Sequence, residues 1–143
     1  MKARTQFRAG QGFELNEEFA GKRLLGAATK AANKKLTPTQ CKALDREETV
    51  ALTAQIAECQ SMLYAQHKKK VLLVLQGMDT SGKDGTVKAI FSNINPMGIR
   101  AVAFKSPTDI ELAHDYLWRV HQHVPVKGEI AIFNRSHYED VLI

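Results

Sequence analysis

One sixteen-residue stretch, Val71 to Thr86, limits what this chain can fold into more than any other. It opens with VLLVLQ, uncharged and apolar except for Gln76. A run this rich in Val and Leu, stopped by Gly77, reads as a strand buried on both faces, as in a parallel sheet. Gly77-Met78-Asp79-Thr80-Ser81-Gly82-Lys83 follows as a G-x-x-x-x-G-K loop, and Lys88-Ala89-Ile90-Phe91 continue as a helix. Strand, glycine loop, lysine and helix, in that order, are the context in which this motif cradles phosphate. Gly77 and Gly82 let the backbone turn so that several N–H groups share one concavity. The helix start adds partial positive charge and Lys83 a full one. The expectation is a positive pocket.

Two acids depart from the plain pattern. Asp84 follows Lys83, where a Ser or Thr hydroxyl usually holds magnesium. An acid in a first helical turn complements the helix dipole, and Asp84 is read that way. Asp79 lies inside the loop, where a bare carboxylate would repel phosphate. It is read as a magnesium-organising or proton-accepting group rather than a turn or helix cap.

The remaining chain supplies a sheet for that loop. Thr37-Pro38-Thr39-Gln40 predicts a helix start, with Thr37 as N-cap, Pro38 in the first helical position and Gln40 completing a capping box. Leu44, Leu52, Ile56, Cys59 and Leu63 follow at helical spacing as one apolar face, and Gln66 to Lys70 close the helix. Arg100 to Lys105 reads as a second strand. Thr108-Asp109-Ile110-Glu111 is a capping box that opens a helix with Ile110, Ala113, Leu117 and Val120 inward. Glu129 to Phe133 is a third strand. Strands and helices alternating at these lengths predict right-handed crossovers and a parallel sheet. Ligands of such sheets sit at the carboxyl ends of strands. The loop after Gln76 and the segment Asn134-Arg135-Ser136-His137-Tyr138-Glu139-Asp140 therefore face one cleft. There Arg135 can fork onto phosphate oxygens. Glu139 and Asp140 can hold magnesium or simply complement a helix N-terminus. His137 and Tyr138 are read as packing or supporting groups.

Composition narrows the class. Charged residues make up 24% and hydrophobic residues 44% of the 143, ordinary values for a soluble globular domain. The net charge of +5 suits a polyanionic partner. No basic motif interleaved with aromatics points to nucleic acid. No apolar run reaches membrane-spanning length, and no apolar core follows the basic N-terminus as in a secretory signal. Cys41 and Cys59 share a helix face but lie five turns apart, so they read as buried free thiols of a cytoplasmic protein.

The run GMDTSGKDGT, followed by NPMGIR, PTDIELAHDYLWRVH and FNRSHYEDVLI, resembles the type 2 polyphosphate kinases, above all the branch that phosphorylates AMP and ADP. The likeness runs from about Leu44 to Ile143. It implies phosphoryl transfer between inorganic polyphosphate and nucleotides with magnesium. It also implies an α/β fold of the P-loop kinase kind, a thymidylate-kinase-like three-layer sandwich around a parallel sheet. The family's phosphate loop maps onto Gly77 to Gly85. That implies phosphate contacts from Gly77, Thr80, Ser81, Gly82, Lys83, Gly85 and Thr86, with Asn134 from the second motif. Asp79, Lys83 and Arg135 are the implied catalytic residues, and Asp79, Glu139 and Asp140 the implied metal ligands. Many members carry Asp at the position of Asn134; Asn removes a negative charge and fits the AMP/ADP branch. Members continue past this motif with further strands and a basic lid. The expectation is a basic arm over 1–36 and an incomplete phosphotransferase domain over 37–143, ending after the third strand. Such a chain is expected to be weakly active or inactive alone and, with one edge of Val71 to Gln76 unpaired, to form homo-oligomers or aggregate. Two alternatives stand beside it: a non-catalytic phosphate-binding remnant, and an ATP-dependent small-molecule kinase.

Overall fold

A computed structural model describes residues 36–138 of the chain, so nearly all of the arm over 1–36, and both Glu139 and Asp140, lie outside the described residues. The chain divides into two compact units, Met1–Val50 and Ala51–Ile143. Helix α1 (Pro38–Gln66) begins where its cap predicts. The Gln40 N–H donates to Thr37 Oγ1 at 3.3 Å and the Thr37 N–H donates to Gln40 Oε1 at 2.8 Å.

The buried side of α1 is not its apolar stripe. Cys41, Thr53 and Gln60 are buried, whereas Leu44, Leu52 and Cys59 are exposed, so only one of the two thiols is hidden. Gln60 shows why in the second unit. Its Nε2 donates to the Met97 carbonyl at 2.6 Å, which turns that side of the helix onto the Asn95–Gly98 turn. Gly98 has φ +80°, and a Cβ there would stand 2.5 Å from Tyr64 Cδ2, so both backbone and neighbour require glycine. The stripe residues Leu52, Ile56 and Leu63 instead border an open apolar groove with Val71 and Ile130.

Three strands form one parallel sheet: β1 (Val71–Leu75), β2 (Ile99–Ala103) and β3 (Ile130–Asn134), in the order β1-β3-β2. Helix α2 (Lys83–Phe91) follows β1, and two short helices, α3 (Asp109–Leu112) and α4 (Trp118–His121), separate β2 from β3. This is the α/β fold with a parallel sheet that the motifs imply.

Two expectations need correcting. First, β1 is not buried on both faces: Val71, Leu72 and Val74 are each more than a third exposed. The strand buried throughout is β3, where Ile130, Ala131, Ile132 and Phe133 are all at or below 8% exposure. Apolar content is alike in the two strands; position differs. β3 has ladder partners on both sides, β1 on one, and α2 buries none of its own residues. Among the described strands the outer edge of β1 is unpaired, as expected. Second, the helix opened by the Thr108–Glu111 capping box stops after one turn. Asp115 competes for the backbone: its Oδ1 accepts from the Leu117 N–H and its carbonyl from the Trp118 N–H, both at 2.8 Å. The chain restarts as α4, leaving Ile110 exposed while Val120 is buried.

The core joins Phe104, Val120, Ala131 and Phe133, with Val102 against them. Phe104 meets Phe133 edge-on at 4.9 Å between centroids, and the Arg119 guanidinium caps Phe104 at 5.2 Å.

At the amino ends of β2 and β3, Arg100 donates to both oxygens of Glu129 at 2.9 and 3.1 Å. Those bonds hold the Glu129 carboxyl below the ordinary carboxylate range; burial pushes the other way, and the Val126 N–H adds a further donor. A carboxyl with a lowered folded-state pKa stabilises the fold above its unfolded value, about 4.3 for glutamate. That contribution is lost as pH falls through the lowered folded value. The urea midpoint of the unaltered chain should therefore exceed that of Glu129→Gln at pH 7, and the gap should narrow below about pH 4. A gap unchanged between pH 7 and pH 3 would refute the pairing.

Candidate phosphate-binding site

Because β1 and β3 are direct parallel neighbours, their carboxyl ends emerge side by side. Leu75 stands opposite Asn134, and the Arg135 N–H donates to the Leu75 carbonyl at 2.9 Å. The loop after β1 and the segment after β3 thus share one rim, where open parallel sheets bind ligands.

The loop turns through two left-handed residues, Thr80 (φ +66°) and Gly82 (φ +87°), and Gly82 is the N-cap of α2. Glycine accepts this conformation freely. A β-branched Thr does not, and such strain of order 1–3 kcal/mol gathers at functional sites. Arg135 is left-handed too, at φ +66°. No side chain caps α2, so its first amides are left for a ligand or water. Lys83 folds back across the loop: its Nζ donates to the Gly77 carbonyl at 2.6 Å and the Met78 carbonyl at 2.8 Å. At Gly77 a Cβ would lie 2.9 Å from Ser81 Oγ, so glycine keeps the turn closed.

These elements line a pocket of about 260 Å³ made by residues 79–85 with Asn134 and Arg135. Asp79, Thr80, Ser81, Gly82, Lys83, Gly85, Asn134 and Arg135, all singled out from the sequence, are on its wall. Gly77 lies behind it as the acceptor for Lys83, and Thr86 lies inside α2, with its hydroxyl donating to the Gly82 carbonyl at 3.0 Å. Arg135 and Lys83 line the same pocket, and residues 79–82 form a turn before the helix.

The electrostatics differ from expectation. The wall carries two carboxylates, Asp79 and Asp84, and two cations, Lys83 and Arg135, so its side-chain charges cancel. The pocket is not positive through side chains; the surplus comes from amides and the α2 dipole. Each acid is also engaged. Arg135 pairs with Asp79, and Asn134 Nδ2 donates to the Asp84 carboxylate. Asp84 is the wall residue that sequence reasoning read only as dipole complement. Its place after the loop lysine, where a metal-binding hydroxyl usually stands, was the available signal.

Past Arg135 the chain stays tied to β1. Ser136 is fully buried, its hydroxyl donates to Gln76 Oε1 at 3.3 Å, and it accepts from the Tyr138 N–H at 3.2 Å.

A parallel sheet with a glycine loop and lysine at its carboxyl rim defines an α/β protein of the phosphate-loop class. Its sequence is more specific. The family profile described as Polyphosphate kinase 2 matches residues 39–143, and the chain belongs to that family. It is 56% identical over 97 residues to the AMP/ADP-polyphosphate phosphotransferase of Meiothermus ruber, an overlap covering 68% of this chain and 36% of that protein. It is 46% identical over 89 residues to the ADP-polyphosphate phosphotransferase of Rhodopseudomonas palustris, covering 62% of this chain and 31% of the relative. The fold matches the crystal structure of polyphosphate kinase 2 from Arthrobacter aurescens at a TM-score of 0.71 and 38% identity, over 95% of this chain and 46% of that one. The chain therefore spans about a third of the length of these two curated relatives. Among the described residues no helix is long and apolar enough to cross a membrane.

Proposed function

We propose that this chain carries the phosphate-loop half of a phosphotransferase that moves phosphoryl groups between inorganic polyphosphate and AMP or ADP. The observation that carries this reading is one pocket wall shared by Lys83, from the loop after β1, and Arg135, from the end of the adjacent β3. In the transfer, a nucleotide phosphate oxygen bonds to the terminal phosphorus of polyphosphate as the bridging P–O bond breaks. The chain leaves one unit shorter, and nothing is oxidised or reduced. Such a step needs in-line positioning and charge neutralisation more than covalent chemistry. Lys83 and the first amides of α2 suit one set of phosphate oxygens, with Thr80, Ser81, Gly82 and Gly85 around them. Arg135 suits the transferred group, and Asn134 orients Asp84. Gly77 and Thr86 shape the loop.

The donor set fits magnesium. This ion is usually held by one or two carboxylates together with substrate phosphates, keeping several waters. Asp79, 82% exposed at its side chain, supplies one such carboxylate on the wall, and Asp84 a second. Glu139 and Asp140 remain candidate ligands. When bound, the ion would offset the charge of the phosphates against these acids.

The domain reading is a basic arm over 1–36 and a phosphotransferase domain over 37–143. A cytoplasmic location goes with it, as does self-association through the apolar edge strand β1; a strictly monomeric sedimentation profile would refute the latter. A second reading, a phosphate-binding remnant without turnover, rests on the pocket wall, where both acids are already engaged by Arg135 and Asn134. One assay separates them: AMP or ADP with polyphosphate and magnesium, following ATP. ATP formation supports the enzyme. Polyphosphate binding without ATP formation supports the remnant, and the absence of both overturns the phosphate-loop reading.

A further inference from the structure

Three aromatic side chains gather where the chain leaves β3, two of them within three residues of the pocket residue Arg135. His137 and Tyr138 face each other at 4.4 Å between ring centroids with planes 31° apart, and Tyr116 stands 6.1 Å from His137. Tyr116 is 52% and Tyr138 55% exposed. Other ring pairs in this unit have evident local partners. Phe104 and Phe133 fill the core, and His114 stacks on Trp118 four residues along the same segment. Tyr116 and Tyr138 are the open members of the trio, and both contact the partly buried His137 ring.

Its placement is fixed from two directions. His137 lies two residues past Arg135, and two residues of chain reach at most ~7 Å. Ser136 anchors this stretch to Gln76 and holds the Tyr138 amide. Tyr116 sits in the turn that Asp115 organises between α3 and α4. A phosphate held by Lys83 and Arg135 would leave the rest of its molecule to extend toward these rings.

From this geometry we propose that Tyr116, His137 and Tyr138 form a stacking platform for the base of the nucleotide; this rests on the reading that the chain handles AMP or ADP. Flat rings meet a base through its π-face, which every base has, so such a platform separates a nucleotide from a bare sugar phosphate. It reads no hydrogen-bonding edge and distinguishes adenine from guanine poorly.

Calorimetric titrations of the full chain with AMP, GMP, ribose 5-phosphate and tripolyphosphate test it. The unaltered chain should bind AMP about 10-fold more tightly than ribose 5-phosphate, and GMP close to AMP. Combining Tyr116→Ala with Tyr138→Ala should erase the AMP advantage and leave tripolyphosphate affinity unchanged. Tyr138→Phe, which keeps the ring, should retain it. An AMP advantage that survives the double replacement overturns the platform while the phosphate site stands. So does an unaltered chain that binds AMP no better than ribose 5-phosphate. A chain that binds neither AMP nor tripolyphosphate overturns both.

Discussion

Lys83→Ala should weaken tripolyphosphate binding about 100-fold, the loss of a charged donor from a site that has few. The balance of the pocket sets this magnitude. Its wall holds two acids and two cations, so removing Lys83 leaves a net negative side-chain charge where phosphate must sit. Arg135 compensates only in part, because it also serves Asp79. Lys83 also ties the loop carbonyls of Gly77 and Met78, so its loss loosens the turn that presents the amides. Lys83→Arg keeps the charge but replaces a compact ammonium by a wide fork, and should recover only part of the affinity. The titrations need one fixed ionic strength, since an open pocket is screened by salt. A dissociation constant within about threefold of the unaltered chain would mean that phosphate does not reach this loop.

How far this site was legible depended on the range of the interactions that build it. Both capping boxes, Thr37 with Gln40 and Thr108 with Glu111, form as read, because each needs only a four-residue neighbourhood. The phosphate loop was legible for the same reason: glycines, lysine and flanking elements are contiguous. The strand order was not. Val71 to Leu75 and Ile130 to Phe133 are equally apolar, and only the crossovers decide which one lies in the middle. The break at Asp115 was hidden because a side chain that caps a new turn also fits mid-helix until the competition is weighed. The link between Asp84 and Asn134 spans 50 positions and exists only because β1 and β3 are neighbours. The cancelled charge of the pocket follows from that link and could not precede it.

Phe133→Ala should destabilise the fold by about 3–5 kcal/mol, the range for emptying a buried aromatic site. That is a large part of the 5–15 kcal/mol that typically holds a domain together. Phe133 is 1% exposed, stands between Val74 and Val102 in the parallel register, and receives Phe104 edge-on. Phe104 is in turn capped by the Arg119 guanidinium at 5.2 Å, so the ring that meets Phe133 is itself held in place. Leu72→Ala is the matched control: on β1 the side chain is 44% exposed and its truncation should cost under about 1.5 kcal/mol. Urea unfolding followed by Trp118 fluorescence measures both. Equal losses at the two positions would show that β3 is not the centre of the sheet. The site depends on that centrality, because the residue after Phe133 opens the Asn134-Arg135 segment. Phosphate affinity of Phe133→Ala should therefore fall in step with its folded fraction, whereas Lys83→Ala should lose affinity with its folded fraction intact.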